Sequence, residues 1–258
     1  MRYLKTLIVL SALFVATNAH AIVFSCGDTV PGGTASNYAI IKMTGPLSCS
    51  GTIGLKITRP YVSFDCQNYP ITGANVSGSV GVRITASNVY MANCDVSKWR
   101  DAGVYASGTA STHLTNVQVV DRNSFFNNGT GIKYTYCDGC WVSLTKLYNN
   151  SGSGIQFTST QDGGTYVVET WGNGANGIRL DKAYTSWHAT PYLHNDGSYD
   201  LLFTGPYESL ATRWTWVDKG TMGSVRFENG ANHNGIHCAN VSSVSHGSST
   251  HDNTLTCP

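Results

Sequence analysis

Basic side chains recur at one position of a short motif along this chain. The motif is a Gly followed by an apolar, a variable and a second apolar residue, as in Gly131, Ile132, Lys133 and Tyr134. The segments around Leu202 and Arg226 continue the pattern without the Gly. The residues at the variable position are Lys56, Arg83, Tyr105, Lys133, Gln156, Arg179, Leu202 and Arg226. Five of these eight residues are basic and none is acidic. Because Arg binds a carboxylate through two hydrogen bonds and Lys binds it as a point charge, such a row indicates an extended polyanion as ligand.

The spacing of the motif defines the elements that position this row. Its Gly returns every 23 residues, at Gly131, Gly154 and Gly177. That period is too short for most helical repeats and fits one turn of a parallel β-solenoid. Gly and Asn supply left-handed turn conformations, and the next three residues form a strand with its first and third side chains inward. We therefore expect an all-β fold, a single-stranded right-handed parallel β-helix of about nine or ten coils over residues 50–240.

A second outward row lies two residues after the first. It consists of Thr58, Thr85, Ser107, Thr135, Thr158, Asp181, Thr204 and Glu228. The β-propensity of Thr accounts for much of this row. A sugar residue advances by about one coil spacing, so the predicted partner is an acidic polysaccharide or cell-surface glycan, with Lys56, Arg83, Tyr105 and Arg226 as binding residues. The alternative interpretation of the basic row is a solvated face, on which Lys and Arg protect a sheet edge.

Two kinds of catalysis are compatible with these residue types. β-Elimination needs a cation at a uronate carboxylate and a base for the C5 proton. Arg83, Lys133 and Arg179 are candidates for the cation, and Lys133, Tyr134, His188 and His194 for the base. Hydrolysis needs two carboxylates at one bond, for which the close set is Asp181 with Asp196 or Asp200. Lyase chemistry ranks above hydrolysis, and the enzyme hypothesis itself stays open.

The N-terminal residues and the net charge indicate a secreted protein and do not fit a nucleic-acid binder or a membrane-spanning protein. Residues 1–21 have the basic start, short apolar run and Ala-x-Ala site of a signal peptide, which predicts secretion to the periplasm or the extracellular space. Removing Arg2 and Lys5 leaves 14 basic against 15 acidic residues, a net charge of −1 that does not fit a nucleic-acid binder. The apolar run is too short for a membrane span. Residues 22–50 are predicted to be an N-terminal cap, and residues 51–258 the β-helix with a C-terminal capping tail.

All eight cysteines follow the predicted signal peptide, and their even number favours disulfides in an oxidising compartment. The expected pairs are Cys26–Cys49, Cys66–Cys94, Cys137–Cys140 and Cys238–Cys257. A redox or zinc site is the alternative for the C-x-x-C at Cys137, although no second ligand pair accompanies it. No acidic cluster indicates calcium, and no cofactor is predicted.

The Gly-Ile/Val-x-apolar rungs and the Asn-Gly corners resemble the right-handed parallel β-helix superfamily, the pectate-lyase-like solenoids. The opening Cys26-Gly-Asp-Thr and the later Leu47-Ser-Cys49 look like the start of secreted NosD-like β-helix proteins. The resemblance covers roughly residues 50–240 and implies the fold. Since the Gly-His-Gly, Arg-x-Pro-x-x-Arg and Asp-Pro-His-Asp signatures of its enzymes are absent, it transfers no catalytic residue. The alternative to a protein that acts on polysaccharide is therefore a structural solenoid that assembles with itself.

Overall fold

The computed structural model describes residues 19–189, 191–204, 216–218, 221–229, 231, 234–237, 240–247 and 253–256. These residues form 28 β-strands and no helix. Most of the predicted signal peptide, together with Cys238 and Cys257, lies outside the described residues.

The strands belong to three faces, A, B and C, that the chain visits in turn, and strands of successive coils pair in parallel. Face A contains β2 (Asp28–Thr29), β5 (Ile53–Ile57), β8 (Val80–Ile84), β11 (Ala102–Ser107), β15 (Thr130–Thr135), β18 (Ile155–Thr158), β20 (Asn176–Asp181), β23 (Tyr199–Thr204) and the ends of β25 (Thr221–Glu228) and β27 (Asn240–His246). Face B contains β1 (His20–Ile22), β3 (Ala39–Met43), β6 (Val62–Asp65), β9 (Val89–Ala92), β13 (Val117–Val119), the starts of β17 (Trp141–Tyr148) and β19 (Gly164–Trp171), β21 (Trp187–Ala189), β24 (Trp216–Asp218), β26 (Gly235–His237) and β28 (Thr254–Thr256). Face C contains β4 (Leu47–Ser48), β7 (Pro70–Thr72), β10 (Asp95–Ser97), β14 (Asn123–Phe126), the ends of β17 and β19, β22 (Tyr192–His194) and the starts of β25 and β27. At the corner between faces A and B, β12 (Leu114–Thr115) and β16 (Cys137–Asp138) form a separate two-stranded sheet.

This arrangement is a right-handed parallel β-helix of about nine turns, as the repeat predicts. Ile132 pairs with Ile155 and Ile155 with Ile178, and all three side chains are fully buried. The expected common core is therefore confirmed. Each coil stacks its apolar side chains on those of the next coil, and this burial is the main stabilising term for a thin solenoid.

The repeated Gly has a different cause from the one expected. Gly131 and Gly154 are not in the left-handed region; instead, an added Cβ would lie 2.5 Å and 2.7 Å from the carbonyl oxygens of Gly154 and Gly177, respectively. The Gly is needed because the next coil passes too close for a side chain. At the corner that precedes this motif, the left-handed conformation belongs to asparagines such as Asn127 and Asn149, which have φ of 55° and 54°.

Asparagines stack inside the corner between faces C and A. The Asn128 N–H donates to Asn150 Oδ1 (3.0 Å), and Asn150 Nδ2 donates to Asn173 Oδ1 (2.9 Å). Asn173 Nδ2 then donates to Asp196 Oδ1 (2.8 Å), which ends the ladder on a carboxylate. Burial, opposed by the hydrogen bonds from Thr170 and Asn173, raises the pKa of Asp196.

The first segment is joined to the solenoid on all three faces. β2, β3 and β4 pair with β5, β6 and β7, so residues 22–50 supply a rung to each sheet. Their assignment as an N-terminal cap stays a prediction. The disulfides Cys26–Cys49, Cys66–Cys94 and Cys137–Cys140 are confirmed.

We expect the Asn ladder to add measurably to the stability that apolar burial provides. Asn150→Ala removes the acceptor of the Asn128 N–H and the side-chain donor to the Phe125 carbonyl, while Asn173 Oδ1 keeps only the backbone N–H of residue 150. Each unsatisfied buried group costs about 1–3 kcal/mol, so we expect a loss of about 3 kcal/mol in the free energy of unfolding, measured with urea. Asn149→Gly is the control, because Asn149 is exposed and Gly tolerates its left-handed conformation. Equal effects of the two substitutions would contradict the ladder's importance.

The buried His188 predicts an acid-dependent loss of stability. Its Nδ1 lies 3.0 Å from Thr165 Oγ1, and burial lowers its pKa to about 3. Between the unfolded pKa of about 6.5 and this value, only the unfolded chain takes up a proton, so stability falls as pH falls. The limiting slope is about 1.4 kcal/mol per pH unit.

The double variant Thr165→Val with His188→Leu removes both hydrogen-bonding partners and should remove this slope. Urea unfolding of parent and variant at pH 7 and pH 5 measures the difference. His246→Leu, which removes an exposed histidine, is the control substitution. A parent-to-variant difference that is the same at both pH values would contradict the assignment.

Candidate functional site

The basic row forms one column on the outside of face A. Strand register places Lys56 beside Arg83, Arg83 beside Tyr105, and Tyr105 beside Lys133. The column then continues through Gln156, Arg179, Leu202 and Arg226. Its members are half-buried apart from Leu202, which is buried. Successive coils are about 4.8 Å apart, so the side chains from Lys56 to Arg179 span about 24 Å along the axis.

Carboxylates and rings offset the charge in the later part of this column. Lys133 Nζ lies 3.9 Å from Asp101 Oδ1 and 5.0 Å from the centre of the Tyr105 ring. Arg179 lies 3.9 Å from Asp181, and Arg226 donates to Glu228 over 2.9 Å. These pairs are one-quarter to two-fifths exposed, so each contributes little to stability.

The earlier part of the column keeps its positive charge. Among the described residues, no carboxylate lies within ion-pair distance of Lys56 or Arg83. The Nε atoms of Arg83 and Arg179 are buried, and neither has a hydrogen-bond partner among the described residues. An unpartnered guanidinium N–H is costly when buried, and a ligand oxygen would satisfy it. Among the described residues, the charge of the column that no carboxylate offsets therefore lies at Lys56 and Arg83.

Two of the candidate bases lie inside the solenoid. His188 is fully buried, with its ring 5.9 Å from that of Phe157. Tyr134 is also fully buried; its hydroxyl donates to the Trp141 carbonyl over 3.2 Å, and burial raises its pKa. Because inward residues alternate with outward ones, neither side chain is placed to meet a polymer on the outer surface.

His194 lies outward, but on face C and not beside the basic column. Its ring is stacked on Trp171 at 6.2 Å and also contacts Tyr192 at 4.9 Å. Of the catalytic candidates, Lys133, Arg179 and Asp181 thus share face A, while His188 and His194 do not join them.

The carboxylates proposed for hydrolysis are not brought together. Asp181 pairs in register with Thr204, four residues beyond Asp200, which corresponds to about 13 Å along the strand. Asp200 is buried at the corner and accepts the Ser224 N–H over 2.7 Å. Asp196 is bound to Asn173. Two glycosidase carboxylates lie about 5–10 Å apart and face one bond, which this arrangement does not provide.

The structure also has an aromatic ladder that the sequence interpretation missed. On the outside of face C, the rings of Phe126 and Tyr148 stack at 5.1 Å, those of Tyr148 and Trp171 at 4.5 Å, and those of Trp171 and His194 at 6.2 Å. The planes are within 5° of parallel, so each ring covers the flat face of the next. The ladder therefore ties coils together and offers ring edges to solvent, which does not favour stacking of sugars on ring faces.

The described residues contain no group of three His, Cys, Asp or Glu side chains placed to hold a metal ion. They also contain no helix long and apolar enough to cross a membrane.

Comparisons with known proteins agree with this architecture. In the search of solved structures, an alginate lyase from Paenibacillus sp. superposes with a TM-score of 0.66 at 13% identity, covering 92% of this chain and 89% of the lyase. The module of a mannuronan C-5 epimerase from Azotobacter vinelandii gives 0.50 at 13% identity, covering 93% and 91%. The enzymatically active domain of a bacteriophage CBA120 tailspike gives 0.55 at 9% identity. This chain is 93% covered but spans only 38% of that tailspike domain. At these identities the likeness shows the fold alone.

No curated protein matches the chain. The family model described as a right-handed β-helix region matches residues 65–204, which is more than half of the 258 residues. This match and the observed parallel β-helix of about nine turns show that the chain belongs to the right-handed β-helix family.

Proposed function

We propose that this protein binds an extended acidic polysaccharide along the basic column of face A. The observation that carries the proposal is the in-register series from Lys56 to Arg179, in which Lys56 and Arg83 lack a carboxylate partner among the described residues. A uronate polymer presents one carboxylate per sugar and therefore matches a periodic row of cations. Several weak contacts on one chain then act together to give useful affinity.

Three further points support this class of ligand. Tyr105 and Gln156 separate the cations and can contact sugar hydroxyls and ring faces. The neighbouring Thr and Ser side chains, such as Ser107, Thr135 and Thr158, are aligned in register beside the column. Two of the similar structures are named for alginate and mannuronan, which are acidic polysaccharides.

The same proposal includes secretion. Three disulfides fit an oxidising compartment, where extracellular and periplasmic glycans occur. We assign residues 1–21 to a signal peptide on this basis and on the sequence pattern.

A structural solenoid that assembles with itself is the second candidate. The ion pairs of Lys133, Arg179 and Arg226 favour it, because they would make the later column an ordinary solvated surface. It differs from the first candidate in requiring no glycan affinity, and so the same binding experiment separates the two.

The test compares two double variants that lose the same charge. Lys56→Gln with Arg83→Gln should weaken binding to a polyuronate about tenfold, because two exposed charge contacts are each worth about 0.2–1 kcal/mol. Lys133→Gln with Arg179→Gln should lose less, since Asp101 and Asp181 already offset those cations. Isothermal calorimetry with polymannuronate, polygalacturonate and a neutral glycan gives the affinities.

Lys42→Gln with Arg122→Gln is the matched control, because these residues lie outside face A. The parental affinity should fall with added salt, as expected for exposed charges that are screened beyond about 8 Å at physiological ionic strength. Equal binding by all variants, or equal binding of the neutral glycan, would remove support for the proposal and leave the structural solenoid.

A further inference from the structure

Three tyrosines meet on the outside of face B, close to the corner at which the first coils leave face A. Tyr38 and Tyr61 directly precede β3 and β6, and Tyr90 lies between the buried Val89 and Met91 in β9. The ring of Tyr38 is 5.5 Å from that of Tyr61 and 5.6 Å from that of Tyr90. The three residues come from successive coils, so the fold assembles this tyrosine cluster and local sequence does not.

The rings of the tyrosine cluster are not stacked face to face. Their planes are inclined by 83° in the Tyr38–Tyr61 pair and by 59° in the Tyr38–Tyr90 pair. In such pairs the edge of one ring meets its neighbour, so each pair leaves flat ring surface that the partner does not cover. All three side chains are half-buried. The cluster therefore differs from the face C ladder, in which parallel rings cover one another.

Amide side chains continue the tyrosine cluster towards the next coil. Asn116 Nδ2 donates to the Tyr90 hydroxyl over 3.2 Å and to Asn88 Oδ1 over 3.1 Å. Gln118 Nε2 donates to Asn116 Oδ1 over 2.6 Å, which fixes the orientation of the Asn116 amide. Among the described residues, Asn88 Nδ2 and Gln118 Oε1 have no hydrogen-bond partner. The network thus leaves one donor and one acceptor for a ligand.

These groups lie close enough together to meet one small molecule. The Tyr90 hydroxyl and Asn88 Oδ1 both bond to Asn116 Nδ2, so the two oxygens are at most about 6 Å apart. Gln118 contacts the same Asn116 amide from its other end. Asn116 therefore joins a ring, a donor and an acceptor within about the width of one sugar ring.

Tyr61 occupies a backbone position that ordinarily suits a small residue. Its φ is 60°, and the equivalent residues of the next three coils are Asn88, Asn116 and Gly139, with φ of 58°, 57° and 63°. Asn and Gly adopt this left-handed conformation readily, whereas it is unfavourable for a bulky side chain. Unfavourable backbone conformations are concentrated at binding and catalytic sites. A binding role for the ring accounts for a tyrosine at this corner.

The surface around the tyrosine cluster is uncharged. The corner column consists of Tyr38, Tyr61, Asn88, Asn116 and Gly139, and the outward column beside it consists of Ile40, Ser63, Tyr90, Gln118 and Trp141. Neither column contains an acidic or basic residue. Burial and the neighbouring tyrosines raise the pKa of Tyr38, which keeps its hydroxyl neutral. Face B thus lacks the positive charge that distinguishes the column of face A.

Aromatic rings beside amides, without charges, suit an uncharged sugar. The C–H face of a pyranose packs on an aromatic ring, and its hydroxyls exchange hydrogen bonds with amides and phenols. A uronate, sulfate or phosphate would be partly desolvated here without a counter-charge. A second copy of this chain would need a broader apolar patch, which the amides interrupt.

We propose that Tyr38, Tyr61 and Tyr90, together with Asn88, Asn116 and Gln118, form a binding site for an uncharged glycan on face B. One pyranose packs on the tyrosine rings, and its hydroxyls bond to Asn88 Nδ2 and Gln118 Oε1. Trp141 is next to Gln118 in register, so a longer glycan continues along the outward column onto the indole. The site is separate from the basic column and does not depend on the polyuronate binding proposed above.

The experiment measures binding of uncharged oligosaccharides by NMR titration at low and high salt. The probes are cellohexaose, mannohexaose and xylohexaose. Tyr61→Asn introduces the residue type of the equivalent corners and so preserves the turn, while Tyr90→Phe keeps the ring and removes the hydroxyl. Tyr166→Ser is the matched control, because Tyr166 is an exposed tyrosine on the same face, four coils beyond Tyr61 and in register with Ser143.

We expect the parent to bind at least one probe with an affinity on the order of 1 mM, because a few neutral contacts are each worth little. This is weaker than binding of a polyuronate across several coils. Tyr61→Asn and Tyr90→Phe should each weaken binding about fivefold. Tyr166→Ser and the double variant Lys56→Gln with Arg83→Gln should bind as the parent does, and added salt should have no effect.

Four results would overturn the assignment. They are a parent that binds none of the probes, parental binding by both Tyr61→Asn and Tyr90→Phe, a loss of probe binding in the Lys56/Arg83 variant, and binding that falls with salt. Sedimentation of the same samples tests the competing occupant. Self-association that Tyr61→Asn abolishes, without probe binding by the parent, would assign this face to a second copy of the chain. None of these failures bears on polyuronate binding, which is measured separately with the face A variants.

Discussion

In-register parallel pairing between coils is the constraint on which this structure depends. Each backbone N–H and C=O of a strand must bond to the coil above or below, so equivalent residues lie directly over one another. Inside, this produces the Ile132–Ile155–Ile178 column and the ladder that begins at Asn128. Outside, the same constraint aligns like residues whether or not their contact is favourable.

The outer columns show how the chain accommodates this enforced alignment. Aromatic rings on face C gain from stacking, and their ladder reinforces the coils. Cations on face A repel in the same geometry. Tyr105 and Gln156 interrupt that column, and carboxylates such as Asp101 and Asp181 offset its later members. Lys56 and Arg83 are adjacent, and no carboxylate among the described residues gives them such relief, so an anionic ligand would stabilise them most.

Much of this arrangement could be predicted from the sequence, because a strict register turns sequence spacing into spatial alignment. The 23-residue repeat was sufficient for the Ile core and for the face A column, and cysteine spacing was sufficient for the three described disulfides. The inward position of His188 could also have been inferred, since outward Trp187 precedes it in the same strand.

Features that depend on the distance between neighbouring coils, or on inserted loops, could not be predicted from sequence spacing. The repeated Gly is set by the distance to the next coil's carbonyl, which sequence spacing does not contain. The contact between His113 and Asp138 depends on an extra loop at residues 108–113 that breaks the regular period. The face C ladder did leave a signal, because Phe126, Tyr148 and Trp171 each directly precede a left-handed corner residue, but it falls outside the Gly-Ile motif.

In the proposed complex, one polymer chain lies along the face A column and contacts successive coils. Its most direct test is the affinity for oligouronates of increasing length. Since the column from Lys56 to Arg179 covers five coil spacings, or about 24 Å, affinity should rise with each added sugar up to about five or six and then level off. An affinity that is already complete with a mono- or disaccharide, or that does not depend on length, would contradict the account.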